Sequence, residues 1–413
     1  MEKIAIVGAG ASGMLAGLLL KERGHDVTVF ERNDKIMKKI LATGNGRCNF
    51  TNRNVSFKNF HGENPKFSIS ALSQFTNEDT IDLFHRWGIP EVELEEGRIY
   101  PLNLQAATFP LRFLEHANFN RLNIQYHTFI KEVRKEKDFI LTDDKGREYR
   151  FQKLILSTGG RAMERSGSDG SGYGLAKMLG HSIVKTHPGI VQLKLDYPYL
   201  KRMDGTKFPG SCTLYVEDKK IRQEFSDILF TKYGISGPAV LQISSFALRS
   251  LRKNKDVTLS IDILPMINEN ELDQFLYNLM FNNSFFTLEK GLMGLIHKNL
   301  ILPILRDLNL DPKSHFAELS KEEVHDLKVK IKDYRFKVTG EKSDKDGQVT
   351  CGGVSTKEIQ AKTMESKIQP GLYFTGELMD IDGDCGGYNL QWAWSSAYAC
   401  ADNLDKDLGE NRC

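Results

Sequence analysis

The sequence predicts an α/β fold in which one domain is assembled from both ends of the chain, with a β domain carrying a helical lobe inserted between them. Three observations predict it. Near the N-terminus Ile4 to Val7 runs straight into Gly8-Ala9-Gly10-Ala11-Ser12-Gly13, and a second apolar run ends at Val27-Thr28-Val29-Phe30-Glu31. From Ile190 to about residue 345 that character is lost, first to antiparallel-looking strands and then, over Asn268 to Lys328, to apolar residues at helical spacing. Glycine-terminated strand sequence returns at Val349 to Val354 and Gly371 to Glu377.

The N-terminal stretch reads as strand, glycine turn, helix, strand, acid, and each part has a mechanical reason. Gly8 permits the tight turn after a buried strand, Gly10 lets a pyrophosphate approach the backbone, and Gly13 lets the helix pack closely on the sheet. Ala11 and Ser12 open the helix, whose free N–H groups meet the phosphates. Glu31, about twenty residues past the glycines, is placed to accept a bond from a ribose hydroxyl and would repel a 2′-phosphate. An adenine dinucleotide is therefore expected here, FAD or NAD rather than NADP. The plainer readings are a structural glycine turn and a solvated strand-end carboxylate; the helix from Met14 to Leu20 and the start at residue 3 argue for the functional one.

A chain of 413 residues holds two or three domains at ~150 residues each. Hydrophobic content of 40% and charged content of 27% are those of an ordinary soluble protein. No window approaches the ~20 apolar residues of a membrane span. Glu2 and Lys3 precede a strand rather than the apolar core of a signal peptide. A cytoplasmic protein without a membrane partner is expected. A net charge of +2 is too small to imply a nucleic-acid partner by bulk electrostatics and leaves room only for a local basic patch. The six cysteines, Cys48, Cys212, Cys351, Cys385, Cys400 and Cys413, are scattered without a CxxC pair. This disfavours a zinc site or dithiol motif and suits a reducing compartment.

After Glu31, Lys35-Ile36-Met37-Lys38-Lys39-Ile40 leads into Leu41-Ala42-Thr43-Gly44-Asn45-Gly46-Arg47-Cys48-Asn49-Phe50-Thr51-Asn52. A loop so rich in Gly, Asn and Thr turns tightly and presents many donors. Following the ribose-binding strand, it can reach the diphosphate or flavin end of the cofactor. Arg47 is a candidate bidentate partner for a phosphate; the alternative is a long surface turn. Cys48 is read first as a small buried hydrophobe and only second as a redox or nucleophilic group, since no base or resolving partner is visible. Asn64 to Trp87 reads as helical, Gly97 to Pro101 and Ala107 to Pro110 as turns framing a strand pair, and Arg112 to Asn120 as a helix.

Ile124 to Ile130, Phe139 to Thr142 and Tyr149 to Phe151 read as a strand meander of the kind that passes beside the adenine, with Ile130 holding the ring through its backbone. The buried strand Lys153 to Leu156 ends in Ser157-Thr158-Gly159-Gly160, small residues that let the backbone approach a cofactor. Gly167 to Gly174 imitates a second fingerprint. No β-branched strand feeds those glycines and no acid-tipped strand follows, so it reads as a helix N-terminus near the substrate or flavin. His181 reads as a helix cap.

Ile190 to Leu195, Gly210 to Ile221 and Val257 to Leu264 look like antiparallel strands, Phe230 to Pro238 like a turn-rich loop, and Ala239 to Leu251 like a helix. Lacking dinucleotide features, this insertion should cover the cofactor and shape the substrate cavity. In the returning segment, the strand ending Phe374-Thr375-Gly376-Glu377 offers a second main-chain contact. Gly386 and Gly387 open the apolar helix Gln391 to Cys400, whose N-terminal amides suit a flavin N1/O2 edge, where negative charge gathers on reduction. Asp380, Asp382 and Asp384 have the spacing of a calcium loop. Gly383 and the missing terminal Glu do not fit one, so no metal is expected.

Taken together, the N-terminal fingerprint, Lys39 to Asn52 with its Ala-Thr-Gly-Asn-Gly-Arg-Cys-Asn run, Phe230 to Pro238 and Thr375 to Trp394 resemble the bacterial aminoacetone-oxidase-like flavoproteins. These are NAD(P)/FAD-dependent oxidoreductases and include bile-acid dehydroxylation reductases. The resemblance spans both ends and the middle of the chain, and the helical lobe carries no matching motif. It implies a glutathione-reductase-like FAD-binding Rossmann domain of residues 1–189 and 346–413, an inserted β-barrel domain of 190–267 and 329–345, and a helical subdomain of 268–328. It further implies FAD at Gly8, Gly10, Ala11, Ser12, Gly13, Glu31, Lys39, Thr43, Gly44, Asn45, Gly46, Arg47, Cys48, Asn49, Ile130, Thr158, Gly159, Gly160, Gly376, Glu377, Asp384, Gly386, Gly387, Tyr388, Asn389 and Leu390. Oxidation of a small amine and reduction of unsaturated steroids are both attached to members.

The expected function is a two-electron flavoenzyme: a small organic substrate exchanges hydride with flavin N5, and NAD(P)H or oxygen completes the cycle, with reduction favoured over oxidation. With no second Rossmann unit, a nicotinamide would bind in the open cleft. Two alternatives stand beside it. A flavin-dependent tRNA-modifying enzyme is disfavoured by near-neutral charge and by the absence of a basic, aromatic-studded segment; the other is a non-catalytic flavin-binding regulatory protein. No catalytic acid or base stands out. His187, Tyr233 and Tyr388 are candidates, each with a more ordinary packing or turn role, and the oligomeric state is left open.

Overall fold

The computed structural model describes residues 2–343 and 347–410; the expected boundary at 345/346 and Cys413 lie outside them. The chain divides into two compact units, Met1–Pro188 with Gln348–Cys413, and Gly189–Gly347.

In the first unit β1 (Lys3–Val7) is buried from Ile4 onward, as expected of a parallel strand covered on both faces. There follow α1 (Ala11–Glu22), β2 (Asp26–Phe30), β3 (Asn123–Gln125), an antiparallel meander β4 (Ile130–Lys135), β5 (Phe139–Asp143), β6 (Glu148–Phe151), then β7 (Lys153–Leu156), α2 (Ser171–Met178) and β8 (Ile183–Gly189). The run Ile124 to Ile130, read as one meander strand, is two: β3 pairs in parallel with β2, and only β4 joins the meander. The break falls near His127, which takes a left-handed φ of 50°. The helical stretch 64–87 is likewise two helices, Ser68–Gln74 and Asn77–Arg86, the second restarted by a capping box between Thr76 and Asp79.

The second unit is a closed six-stranded barrel with a helical lobe. Its elements are β9 (Leu193–Asp196), β10 (Lys207–Val216), β11 (Lys219–Thr231), β12 (Gly234–Ser236), α3 (Pro238–Leu251), β13 (Val257–Asp262), α4 (Glu269–Phe281), α5 (Lys298–Asp307), α6 (Lys321–Lys332) and β14 (Tyr334–Glu341). The barrel order is β9-β12-β11-β10-β13-β14. The stretch Phe230 to Pro238, read as a loop, is a hairpin: Thr231 pairs with Gly234 across a two-residue turn at Lys232 and Tyr233. The lobe shares the barrel's apolar core, Leu272, Leu276, Leu300 and Leu327 joining Ile235, Leu259 and Phe336.

The chain returns to the first unit with β15 (Val349–Val354), β16 (Leu372–Phe374) and α7 (Tyr388–Glu410). The parallel sheet is thereby completed in the order β16-β7-β1-β2-β3. Val7 pairs with both Phe30 and Leu156, and Leu156 with Phe374. Gly8, Glu31, Ser157 and Thr375 therefore all leave the sheet at its carboxyl edge, where open α/β sheets bind ligands. The long helix α7 packs on α1, whose residues Ser12 to Leu20 are buried. Among the described residues no helix is long and apolar enough to cross a membrane.

Candidate functional site

A cleft of about 1220 Å³, counted to its open mouth, lies at that carboxyl edge. Its floor is the glycine turn and the start of α1. Gly13 explains the closeness of turn and helix, because a Cβ there would stand 2.0 Å from the Gly8 carbonyl oxygen. At Gly10 a Cβ would meet nothing within 4 Å, so the missing side chain leaves open space facing the cleft. Gly10 caps α1 without a side-chain bond and the first turn carries no acid, which leaves the helix N-terminus suited to an anion.

Glu31 is 7% exposed and lines the same cleft. Its carboxylate accepts from the Ala9 N–H at 2.9 Å, the Asn33 N–H at 2.8 Å and Asn33 Nδ2 at 2.7 Å. A carboxylate offers about four acceptor sites, so capacity for a hydroxyl is left. Beyond it, Arg32 lies over the Phe129 ring at 4.3 Å and pairs with Asp169 at 2.5 Å. Burial works against charge on Asp169, but bonds from Ser171 and the Arg32 guanidinium outweigh it and hold its carboxyl below the usual carboxylate range. Also lining the cleft, Lys39 Nζ lies 2.5 Å from Glu377 Oε2, and Glu377 Oε1 accepts from the Thr350 N–H at 2.8 Å. At the start of α7, Asn389 accepts from the Gly383 N–H and donates to the carbonyls of Gly383 (2.8 Å) and Asp384 (3.2 Å).

Of the expected site residues, Gly8, Gly10, Ala11, Ser12, Glu31, Lys39, Thr43, Ile130, Thr158, Gly159, Glu377, Asn389 and Leu390 line this cleft. The rest lie behind or beside it. Gly13 packs under the turn, Gly160 against Thr350, and Gly376 against Ser12. Gly44 sits beneath the Tyr100 ring, while Asn45, Gly46 and Arg47 are exposed. The Arg47 guanidinium lies 5.0 Å over the Tyr100 ring and its Nε donates to the Gly44 carbonyl, away from the cleft lining. Cys48 is fully buried, and burial pushes its thiol up to about 12 despite a bond with Thr43, which leaves no thiolate for chemistry near neutral pH. Asn49 is buried with its Oδ1 unpaired. Asp384 Oδ1 lies 2.8 Å from His61 Nε2. Gly386 accepts from Asn52 Nδ2. At Gly387 a Cβ would stand 2.4 Å from the Thr51 carbonyl oxygen, and Tyr388 packs edge-on to Phe60.

The cleft also gathers residues that sequence reasoning missed: Arg32, Asn33, Lys35, Lys38, Thr128, Phe129, Ser166 and Gln348. Arg32 and Asn33 directly follow Glu31, so strand-end position was a usable signal. Ser166 and Gln348 carry none, being placed by the path of distant loops. Of the candidate acids, His187 Nδ1 contacts the Pro188 carbonyl oxygen and Tyr233 donates to Gln192 Oε1; neither lines the cleft. Among the described residues no group of His, Cys, Asp and Glu is arranged to hold a metal.

The donor set fits FAD. Open space at Gly10, an uncapped helix N-terminus, a carboxylate with spare capacity and the partnerless buried Thr158 Oγ1 are what a pyrophosphate, a ribose and further polar atoms of a dinucleotide would use.

Comparison with known proteins accords with this geometry. The HI0933-like protein Rossmann domain matches residues 2–403. The chain is 34% identical over 403 residues to the 3-dehydro-bile acid delta(4,6)-reductase of Clostridium scindens, covering 96% of this chain and 98% of that one. It is 33% identical over 402 residues to the ribosomal RNA dihydrouridine synthase of Escherichia coli, covering 97% of each. Among solved structures, 3-ketosteroid-delta4-(5alpha)-dehydrogenase from Rhodococcus jostii RHA1 aligns over 97% of both chains at 13% identity, with a TM-score of 0.46.

Proposed function

The chain belongs to the HI0933-like family and is an FAD-dependent oxidoreductase; from that premise we propose that it reduces a carbon–carbon double bond conjugated to a carbonyl in a small organic substrate, with NAD(P)H as electron source. The two full-length relatives support this bond class. A delta-4 double bond beside a 3-oxo group and the 5,6 bond of uridine are both conjugated to a carbonyl, although the molecules named are otherwise unlike. One observation carries the cofactor part: Gly10, Glu31, Lys39, Glu377 and Asn389, drawn from both ends of the chain, line a single cleft.

The chemistry FAD supplies when bound is two-electron hydride exchange. The chain's own part is to bind and orient. The amides opening α1 take the pyrophosphate, Glu31 the ribose, and the Lys39–Glu377 pair holds its wall in place. Asn389 fixes the turn that feeds α7, so that the helix N-terminus keeps its direction toward developing negative charge.

A second reading keeps the reaction and changes the substrate to a uridine in ribosomal RNA, favoured by the 33% identity across 97% of both chains. Net charge speaks only to bulk attraction and does not bear on a local RNA contact. One stopped-flow series tests both. The flavin is bleached anaerobically with NADH or NADPH, then reoxidised by a 3-oxo-4-ene steroid, by a ribosomal RNA fragment, or by oxygen. Reoxidation by the steroid supports the first reading and by RNA the second; reoxidation by oxygen alone, or purified protein that takes up no flavin, refutes both.

A further inference from the structure

Residues 161–170 lie beside Arg32 and Asn33, which directly follow Glu31, and their attachments are unlike those of a free loop. At one end the N–H groups of Arg161 and Ala162 both donate to Thr350 Oγ1, at 2.7 and 3.0 Å. At the other, Asp169 Oδ1 accepts from the Ser171 N–H that opens α2, and Ser168 Oγ donates to the Gly160 carbonyl. Between these anchors the segment folds on itself, Ser166 N–H bonding Met163 O and Gly167 N–H bonding Glu164 O. Ser166, Gly167 and Ser168 form part of the cleft wall.

Two polar contacts tie this wall to the end of β2. Asn33 Nδ2 donates to the Ser166 carbonyl at 3.2 Å, and Arg32 pairs with Asp169 at 2.5 Å. Asn33 also bonds Glu31, and Arg32 rests on Phe129, so both latch residues are fixed from their own side. The seam is close: a Cβ at Gly167 would stand 2.5 Å from Asn33 Nδ2. The residue type at 167 is therefore set by the approach of the two segments.

We propose that residues 161–170 form a strap, latched to Arg32 and Asn33, that closes over the adenosine half of the cofactor and governs how fast FAD leaves. The inference rests on the reading of the cleft as the FAD site. A ligand half held under the strap departs only when Arg32–Asp169 and Asn33–Ser166 part together. A flavin mononucleotide, which has no adenosine half, passes without engaging it.

The test is exchange of bound radiolabelled FAD against excess unlabelled FAD in the holoenzyme, repeated with FMN. Asp169→Asn keeps the side-chain shape and removes the charge, and it is expected to speed FAD exchange about tenfold, equivalent to roughly 1.4 kcal/mol, with FMN exchange unchanged. Arg32→Gln should do the same, and the double variant should be little faster than either single one. Wild-type FAD exchange in both single variants, provided they melt with the wild type, overturns the strap alone. Equal acceleration of FMN overturns it too. Protein that takes up no flavin overturns the functional reading and the strap with it.

Discussion

Lys39 Nζ lies 2.5 Å from Glu377 Oε2, an ion pair between residues 338 positions apart in the chain, and both side chains line the cleft. With 25% and 19% of their side chains exposed, each partner is left poorly solvated when the other is removed. Glu377→Gln and Lys39→Met are each expected to lower stability by about 1–3 kcal/mol and to weaken FAD binding. Their combination should cost less than the sum. Urea unfolding of the four proteins in the cycle measures this, and a strictly additive result would remove the pair from the account.

Alanine at the two glycines of the turn should separate cofactor binding from folding. Gly10→Ala places its methyl in open space and is expected to leave the stability of the apoprotein within about 0.5 kcal/mol of wild type while raising the FAD dissociation constant at least tenfold. Gly13→Ala drives a methyl into the Gly8 carbonyl and should destabilise the apoprotein itself by roughly 3 kcal/mol or more. Differential scanning fluorimetry with and without FAD tells the two apart.

The Cys48 thiol, pushed up by burial to about 12, makes a pH prediction whose sign follows from linkage. Its folded-state pKa lies above the ordinary thiol value, so the stability it contributes is complete below about pH 9 and is lost as pH rises toward 12. The loss is on the order of 4 kcal/mol. Urea midpoints between pH 8 and pH 11 should fall more steeply for the wild type than for Cys48→Ala, and iodoacetamide at pH 8 should leave Cys48 unmodified. Parallel slopes would show that the thiol does not titrate as described.

Asn389 uses both ends of its amide: the oxygen accepts from Gly383 while the nitrogen donates to two carbonyls. Asn389→Ala is expected to cost about 1–3 kcal/mol and to slow flavin reduction by NAD(P)H. Asn389→Asp should be worse at pH 7, because a carboxylate there faces two carbonyl oxygens. Wild-type stability in Asn389→Asp, which keeps the acceptor and loses the donor, would mean that the amide donor is unimportant.

The parts of the site that were legible in the sequence are those set by local chemistry. A parallel strand buried on both faces needs an unbroken apolar run, a close helix needs Gly13, and a ribose-binding strand tip needs an acid such as Glu31, so residues 4–31 announce themselves. Arg47 shows where this stops: its residue type suits a phosphate, yet a ring at position 100 engages it first. The stretch from Ile124 to Ile130 has strand composition throughout, and its division follows from β2 lying alongside Asn123 to Gln125, a pairing to which local composition is blind. Ser166 and Gln348 reach the cleft because loops anchored elsewhere carry them there.

The central sheet is finished by Leu372–Phe374 at its β7 edge, and α1 is covered by α7. During synthesis a nascent chain that has emerged only as far as Pro188 therefore carries an unfinished sheet edge and an uncovered apolar helix for as long as the ribosome takes to translate the rest. The cleft, which takes Glu377, Asn389 and Leu390 from the C-terminal segment, is complete only once that last helix has left the exit tunnel.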